Sequence, residues 1–310
     1  MKKNFSIIGI AGFVAKRHVQ AIKATKNNLI SGMDKHDNVG FLDSNFPDCK
    51  FFTNYDRYER HISKVSKKID YLTICSPNYF HDTHSRLGLK NNINVICEKP
   101  LVINYKNIKQ LKLIEKQTKK KINCILQLRL HKKAKILKSK KDSIRNIDIT
   151  YISPRGKWYS VSWKGDSKKS GGVETNIGIH LFDLLIFIFG KYDELKVFYR
   201  TEKTSSGYFR FGNTKVRWLL SIEKKNLDLF DKKIQNLREF KVDKKKVDFS
   251  KSFNDLHTES YKQIIQNKGF GIDDVAPSIK TVNIIRKAKI LKNIENNEAH
   301  PYLKKIIKNA

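Results

Sequence analysis

Lys99 is the residue whose placement most suggests chemistry. It follows Val95-Ile96-Cys97, an apolar run that reads as the end of a buried strand, and it stands between Glu98 and Pro100. Proline cannot continue a sheet ladder and restricts the residue before it to extended geometry. The lysine is therefore held in a stiff elbow just past a strand's carboxyl end, where ligands of open α/β sheets sit. A second group lies far along the chain. Asn176, His180 and Asp183 fall at i, i+4 and i+7 of an otherwise apolar stretch, 176–189, that stops at Gly190. Helical spacing puts all three on one stripe, and polar groups buried there need partners, of which a bound substrate is one. A lone Lys-Pro is usually a solvated turn, and a lone histidine on an apolar helix is usually a core residue. The elements around them decide.

Residues 5–8 read as a strand that enters Gly9-Ile10-Ala11-Gly12-Phe13-Val14-Ala15, and 17–25 as a helix with Val19 and Ile22 three apart. Strand, small-residue turn and helix N-terminus make a cradle for a pyrophosphate. The spacing is Gly-x-x-Gly-x-x-Ala, with Ala11 where the common fingerprint has its second glycine. The next strand, 29–33, ends at Asp34, with Lys35, His36 and Asp37 close behind. A carboxylate there accepts from ribose hydroxyls and repels a 2′-phosphate, which favours NAD over NADP. The alternation repeats: 69–75 ends in Ser76-Pro77-Asn78 and leads to a helix over 79–90. Next, 93–97 ends in Glu98-Lys99-Pro100 and leads to a helix over 105–118, and 122–126 closes the series. Such a series predicts a parallel sheet that delivers Asp34, Ser76, Asn78, Glu98 and Lys99 to one edge.

Beyond about residue 145 the pattern changes. Runs at 147–152, 195–200, 208–211, 216–222 and 238–242 read as strands with few helices between them, hence a largely antiparallel sheet with one face left for packing or association. The loop Arg155-Gly156-Lys157-Trp158-Tyr159, followed by Ser162-Trp163-Lys164-Gly165-Asp166, suits a ligand that carries phosphates and a ring. Residues 223–236 read as a charged excursion without function. Helices near 255–267 and 275–291 complete the chain, which is expected to fray into lysine-rich residues after Pro301.

At 310 residues and 39% hydrophobic the chain can bury two cores. The expected division is a dinucleotide-binding domain, 1–125, and a substrate-binding and oligomerisation domain, 126–310, whose last helices pack back on the first. The fold class is thus α/β: a doubly wound Rossmann-type parallel sheet, then an α+β domain with an open-faced, mostly antiparallel sheet. The net charge of +33 first suggests nucleic acid. The lysines are spread along the whole chain, however, with no zinc-finger or RRM signature, so no specific nucleic acid is expected. The four cysteines lie more than twenty residues apart, so no CxxC pair exists, and no metal site or structural disulfide is expected. No apolar run is long enough to span a bilayer and the first residues lack a signal peptide's hydrophobic stretch, which points to the cytoplasm without a membrane partner.

Taken together, the Gly9 turn, Glu98-Lys99-Pro100, and Gly171-Gly172 leading into Asn176-Ile177-Gly178-Ile179-His180 and Asp183 resemble the glucose–fructose oxidoreductase / inositol dehydrogenase family (Gfo/Idh/MocA). Finer features are similar to its uronate branch, the UDP-N-acetyl-2-amino-2-deoxyglucuronate dehydrogenases. They are Arg17-His18, Ile74-Cys75-Ser76-Pro77-Asn78-Tyr79, Gln127-Leu128-Arg129, Arg155-Gly156 with Trp158-Tyr159, Ser162 to Asp166, Phe253 to Tyr261, and Gly269 to Asp274. The resemblance implies NAD-dependent oxidation of a 3-hydroxyl on UDP-N-acetylglucosaminuronate, for bacterial surface polysaccharide or lipopolysaccharide precursors. It also implies a homotetramer, with 2-oxoglutarate as a candidate electron acceptor. Carried over by position, Lys99 and His180 are the proton-handling pair. Gly9, Gly12, Phe13, Val14, Asp34, Asp37, Ser76, Asn78, His81 and Glu98 would hold the cofactor. Lys99, Gln127, Arg129, Arg155, Tyr159, Lys164, Asn176 and His180 would hold the substrate. Across the wider family an aspartate stands four residues before the histidine; Asn176 here suits an anionic sugar, which a second carboxylate would repel. The alternatives are a dehydrogenase of another sugar or cyclitol and a non-catalytic NAD-binding sensor.

Overall fold

The computed structural model describes residues 1–249, 256–295 and 297–308. Phe253 and Asp255, expected at the start of a motif and of a helix, lie outside the described residues. The chain divides into two compact units, Met1–Leu130 with Asn254–Ile279, and His131–Phe253 with Lys280–Ala310.

The first unit alternates strand and helix: β1 (Asn4–Ile8), α1 (Ala15–Ala24), β2 (Asn28–Met33), α2 (Phe41–Asn45), β3 (Lys50–Phe52), α3 (Tyr55–Val65), β4 (Tyr71–Ile74), α4 (His81–Lys90), β5 (Asn94–Cys97), α5 (Asn107–Thr118) and β6 (Ile122–Cys124). All neighbouring strands are parallel, in the order β3-β2-β1-β4-β5-β6. The order reverses between β1 and β4, so the crevice outside their carboxyl ends is the switch point at which such sheets bind ligands. On α1 the buried residues Ala15, His18, Val19 and Ile22 follow helical spacing, and three of them join Phe5 and Ile7 of β1 in one cluster. β3, α2 and α3 have no counterpart in the sequence pattern; the three residues of β3 are too few to show alternation.

The second unit contains α6 (Lys132–Ser139), β7 (Asn146–Ile152), α7 (Lys157–Val161), α8 (Ser167–Ser170), α9 (Ile179–Phe189), β8 (Glu194–Arg200), β9 (Thr204–Phe211), β10 (Thr214–Ser221), α10 (Lys224–Asp228), β11 (Leu237–Val242) and β12 (Lys245–Lys246). Its sheet runs β12-β11-β7-β10-β9-β8. Only β7 and β10 are parallel neighbours; the other pairs are antiparallel. On one face Trp218 packs edge-on against Phe182 of the buried helix α9, with ring centroids 5.2 Å apart.

Two helices follow, α11 (Leu256–Ile265) in the first unit and α12 (Ile272–Lys287), which runs from one unit into the other. The last helix, α13 (Leu303–Lys308), corrects one expectation. The chain does not simply fray after Pro301, because Leu303 and Ile306 are 1% exposed. The helix packs on the second face of the sheet, the one expected to be left for packing or association. Leu303 packs on Phe198 and Tyr208, and Ile306 packs with Ile152, Leu219 and Leu227. Leu227 lies on α10, so the stretch read as a charged excursion also helps cover this face.

Candidate functional site

At the first unit's switch point the chain leaves β1 through Gly9 at φ +84°. A Cβ there would stand 2.5 Å from the Ser76 amide nitrogen, so a glycine lets this turn lie directly against the end of β4. Gly12 donates its amide to the Gly9 carbonyl (3.1 Å) and accepts from the Ala15 amide (3.0 Å), closing the turn onto α1. Among the described residues, the Phe13 and Val14 amides donate no hydrogen bond. They stand where the helix N-terminus offers orphan N–H groups and positive dipole to an anion. The Asp34 carboxylate accepts from the Ala11 amide and the His36 amide, both at 3.1 Å, which ties the end of β2 to the turn. Asp37 is exposed beside it. These features fit a dinucleotide, with the pyrophosphate at Phe13 and Val14 and a ribose at Asp34.

The neighbouring strand ends are cross-braced. Ser76 Oγ lies 2.9 Å from His84 Nδ1, and buried Asn78 begins a short 3-10 turn, Asn78–Phe80. His81, expected at the cofactor, instead turns both ring nitrogens to backbone carbonyls, Nε2 to Ser76 (2.8 Å) and Nδ1 to Pro100 (2.6 Å). It clamps the loop after β4 to the loop after β5. Glu98, also expected at the cofactor, is buried with its carboxylate committed inward. Oε1 accepts from His18 Nε2 (3.0 Å) and His257 Nε2 (3.1 Å), while Oε2 accepts from the Lys99 amide (3.2 Å). Burial alone would push this carboxyl up, but the hydrogen bonds from the two imidazoles hold it well below the usual range. Burial lowers the pKa of His18 despite its bond to Glu98. A neutral His18 that donates through Nε2 accepts at Nδ1 from the Tyr261 hydroxyl (2.9 Å), which itself lies 3.0 Å from Thr73 Oγ1. Lys99 is half-buried at the end of this chain of bonds, before a cis peptide bond to Pro100.

Gln127 and Arg129 lie in a buried 3-10 turn, Gln127–Leu130, after β6. The Arg129 guanidinium donates to the Asp274 carbonyl (2.7 Å) and stacks 5.2 Å from the Phe270 ring centroid. These contacts fasten the returning segment to the sheet. Gln127 keeps a buried Oε1 with no hydrogen-bond partner.

In the second unit Arg155 follows β7 and donates its amide to the Ile222 carbonyl (3.1 Å). Tyr159, 5% exposed on α7, accepts at its hydroxyl from Asn176 Nδ2 (2.9 Å). A cavity lined by Arg155, Tyr159, Ser160, Lys203, Ile222, Glu223, Lys224 and Lys225 opens beside them. Nothing in the sequence marks Lys203, Lys224 and Lys225 among so many lysines as cavity-lining residues. Lys164 lies with its ammonium 5.4 Å from the Trp158 ring and 5.7 Å from the Trp163 ring. Burial, then the nearby Arg155 charge, lowers its pKa. The expected single helix over 176–189 is split: Glu174–Gly178 forms a wide π-type turn before α9 begins at Ile179. Asn176 therefore sits on the wide turn and half-buried His180 on the first turn of α9, not on one regular 3.6-residue stripe. Asp183 is buried on α9.

Comparison with known proteins follows the same division. A model for the Gfo/Idh/MocA NAD-binding Rossmann domain matches residues 3–125, and one for the family's C-terminal α/β domain matches residues 142–230. The structure of a WlbA (WbpB) dehydrogenase from Thermus thermophilus, in complex with NAD and UDP-GlcNAcA, superposes with a TM-score of 0.90. It is 36% identical over 97% of this chain and 99% of that one. The same enzyme with NAD and α-ketoglutarate gives a TM-score of 0.91 at 37% identity, with the same coverage. A glucose-6-phosphate 3-dehydrogenase from Bacillus subtilis is 26% identical over 197 residues, which span 60% of this chain and 54% of that relative. With both domain models matched in order and a full-length relative above 30% identity, the chain belongs to the Gfo/Idh/MocA oxidoreductase family and carries its NAD-binding Rossmann domain.

Proposed function

We propose that this protein is an NAD-dependent sugar dehydrogenase that oxidises the 3-hydroxyl of UDP-N-acetylglucosaminuronate to the 3-keto sugar. The observation that carries this reading is the basic cavity of the second unit. Arg155, Lys203, Lys224 and Lys225 line it beside one carboxylate, Glu223, and Lys224 is itself paired with Asp228, so the lining is basic on balance and suits a diphosphate or uronate; Tyr159 offers a ring and a hydroxyl bonded to Asn176. A neutral cyclitol would gain nothing from so many cations, whereas a sugar nucleotide acid carries several negative charges. The similarity to the Thermus WlbA enzyme, crystallised with UDP-GlcNAcA, supports the same substrate.

NAD, when bound, supplies the hydride acceptor. The chain's own work is then to bind, orient and deprotonate. Lys99, held at its elbow by Glu98 and Pro100, and His180 at the start of α9 form the proton-handling pair for the hydroxyl. Asn176, placed by Tyr159, and Arg155 orient the sugar acid. His81 and Glu98 serve the cofactor site by setting the loops around it. A 2-oxo acid such as 2-oxoglutarate is the candidate reoxidant, in keeping with the α-ketoglutarate complex of the Thermus enzyme. Assembly as a homotetramer, a cytoplasmic location and a role in lipopolysaccharide precursor synthesis belong to the same reading. NADH formation should be measured with UDP-N-acetylglucosaminuronate and with UDP-N-acetylglucosamine. The uronate is expected to be oxidised at least about tenfold more efficiently, the worth of ~1.4 kcal/mol. Equal efficiency would remove the carboxylate from the recognition.

A further inference from the structure

We propose that His18, His257 and Tyr261 are positioning residues for Lys99, acting through Glu98. The inference rests on the proton-handling role of Lys99 proposed above. Three facts carry it. One carboxylate joins three separate elements: His18 on α1, which follows the cofactor turn; His257 on α11; and the backbone amide of Lys99 itself. Every donor in the chain has an acceptor. Thr73 can donate to Tyr261, Tyr261 to His18, and His18, His257 and Lys99 to Glu98. All five side chains concerned (Thr73, Tyr261, His18, His257 and Glu98) are at least nine-tenths buried, so water does not substitute for a lost partner. A change at α1 or α11 therefore reaches the lysine's backbone through a single carboxylate, and only an ionised carboxylate can accept all three N–H groups.

The trio His18, Glu98 and His257 could also coordinate a metal ion, since its ligand-type atoms lie within 4.8 Å of one another. The donor–acceptor chain accounts for all of these contacts without one, and His257 Nδ1 is the atom left without a partner. Several other groups face this site. Arg17 lies near His18 on α1, and His81 approaches from α4. The buried thiols of Cys75 and Cys97 flank the carboxylate. The thiols stay protonated because burial pushes both well up, so they do not compete for its charge at neutral pH.

The test compares His257→Ala, which removes a donor, with His257→Gln, which can restore an N–H. Isotope-edited infrared spectroscopy follows protonation of the Glu98 carboxyl, assigned by its loss in Glu98→Gln. Steady-state kinetics follow kcat and the KM for NAD against pH. In His257→Ala the carboxyl should protonate at higher pH, the acid limb of kcat should move up with it, and kcat should fall by about 10²-fold, the scale of a misplaced catalytic group. The KM for NAD should stay within about twofold, and His257→Gln should recover most of the loss. A folded His257→Ala protein with unaltered infrared titration and pH profile would overturn the proposal. So would a stoichiometric divalent metal whose removal by chelator reproduces the loss. A wild-type protein that forms no NADH from the sugar nucleotide would overturn the substrate reading alone, and the infrared titration would still decide the network.

Discussion

Gly9 gives the account a quantitative test. Replacing it with alanine forces an L side chain to φ +84°, a left-handed conformation that costs about 1–2 kcal/mol. The new Cβ would also meet the Ser76 nitrogen at 2.5 Å, the Cys75 carbonyl carbon at 2.6 Å and the Ser76 Cα at 2.7 Å. All three are backbone atoms, so no side chain can rotate aside and β4 must give way, at about 1–3 kcal/mol for overpacking. Together these effects amount to about 2–5 kcal/mol, or a fall in melting temperature of about 4–20 °C for a unit of this size. Because the displaced atoms frame the cofactor turn, NAD affinity should weaken at least about tenfold. Gly212→Ala is the control: its φ is +54° with nothing within 4 Å of the new Cβ, so it carries strain without overlap and should cost about 1–2 kcal/mol. Thermal melts and NAD titrations of both variants read the difference. A Gly9→Ala protein that melts and binds NAD like the wild type would refute the close approach of β1's turn to β4.

Three other outcomes follow from the same geometry. NAD should bind at least about tenfold tighter than NADP, because a 2′-phosphate beside the Asp34 carboxylate costs at least ~1.4 kcal/mol; equal affinities in a titration would hand the selectivity to Lys35 and His36. Lys99→Met and His180→Asn should each lower kcat by about 10²–10⁴-fold, with the double variant little worse than the poorer single one; near-normal turnover in a folded His180→Asn protein would return that histidine to core packing. His300, buried beside Thr150, has its pKa lowered from 6.5 to about 3 by burial and then by the Arg217 and Lys241 charges. Its folded value lies below its unfolded one, so its contribution to stability is present above pH 6.5 and is lost as pH falls toward about 3. His300→Gln should flatten that part of a denaturant-midpoint profile, and an unchanged slope would assign acid lability elsewhere.

The first unit was largely legible because its signals are local. Apolar strands end in Gly9, Asp34, Ser76 and Glu98-Lys99, and each strand end lies at the candidate site. What escaped the sequence depends on distance or on breaks in periodicity. His18 and His257 meet Glu98 from 80 and 159 residues away, and neither position declares a partner. The π-type turn at Glu174–Gly178 was invisible because spacing arguments assume 3.6 residues per turn. Leu303 and Ile306 form a buried i, i+3 pair that the surrounding lysines disguise as a frayed end. Lys224 and Lys225 stand in a stretch that reads as a charged excursion. In a chain of net charge +33 only position can tell a binding lysine from a solvated one.

The central claim, that Lys99 and His180 serve a hydride transfer from carbon 3 of a UDP-linked uronate, can be read from one labelled atom. UDP-N-acetylglucosaminuronate carrying deuterium at carbon 3 should be mixed with stoichiometric protein and NAD, and the reduced cofactor examined by mass spectrometry. The account predicts that NADH gains the deuterium and that the sugar is recovered as its 3-keto form. NADH formed without the label, or none formed while NAD is demonstrably bound, would contradict it.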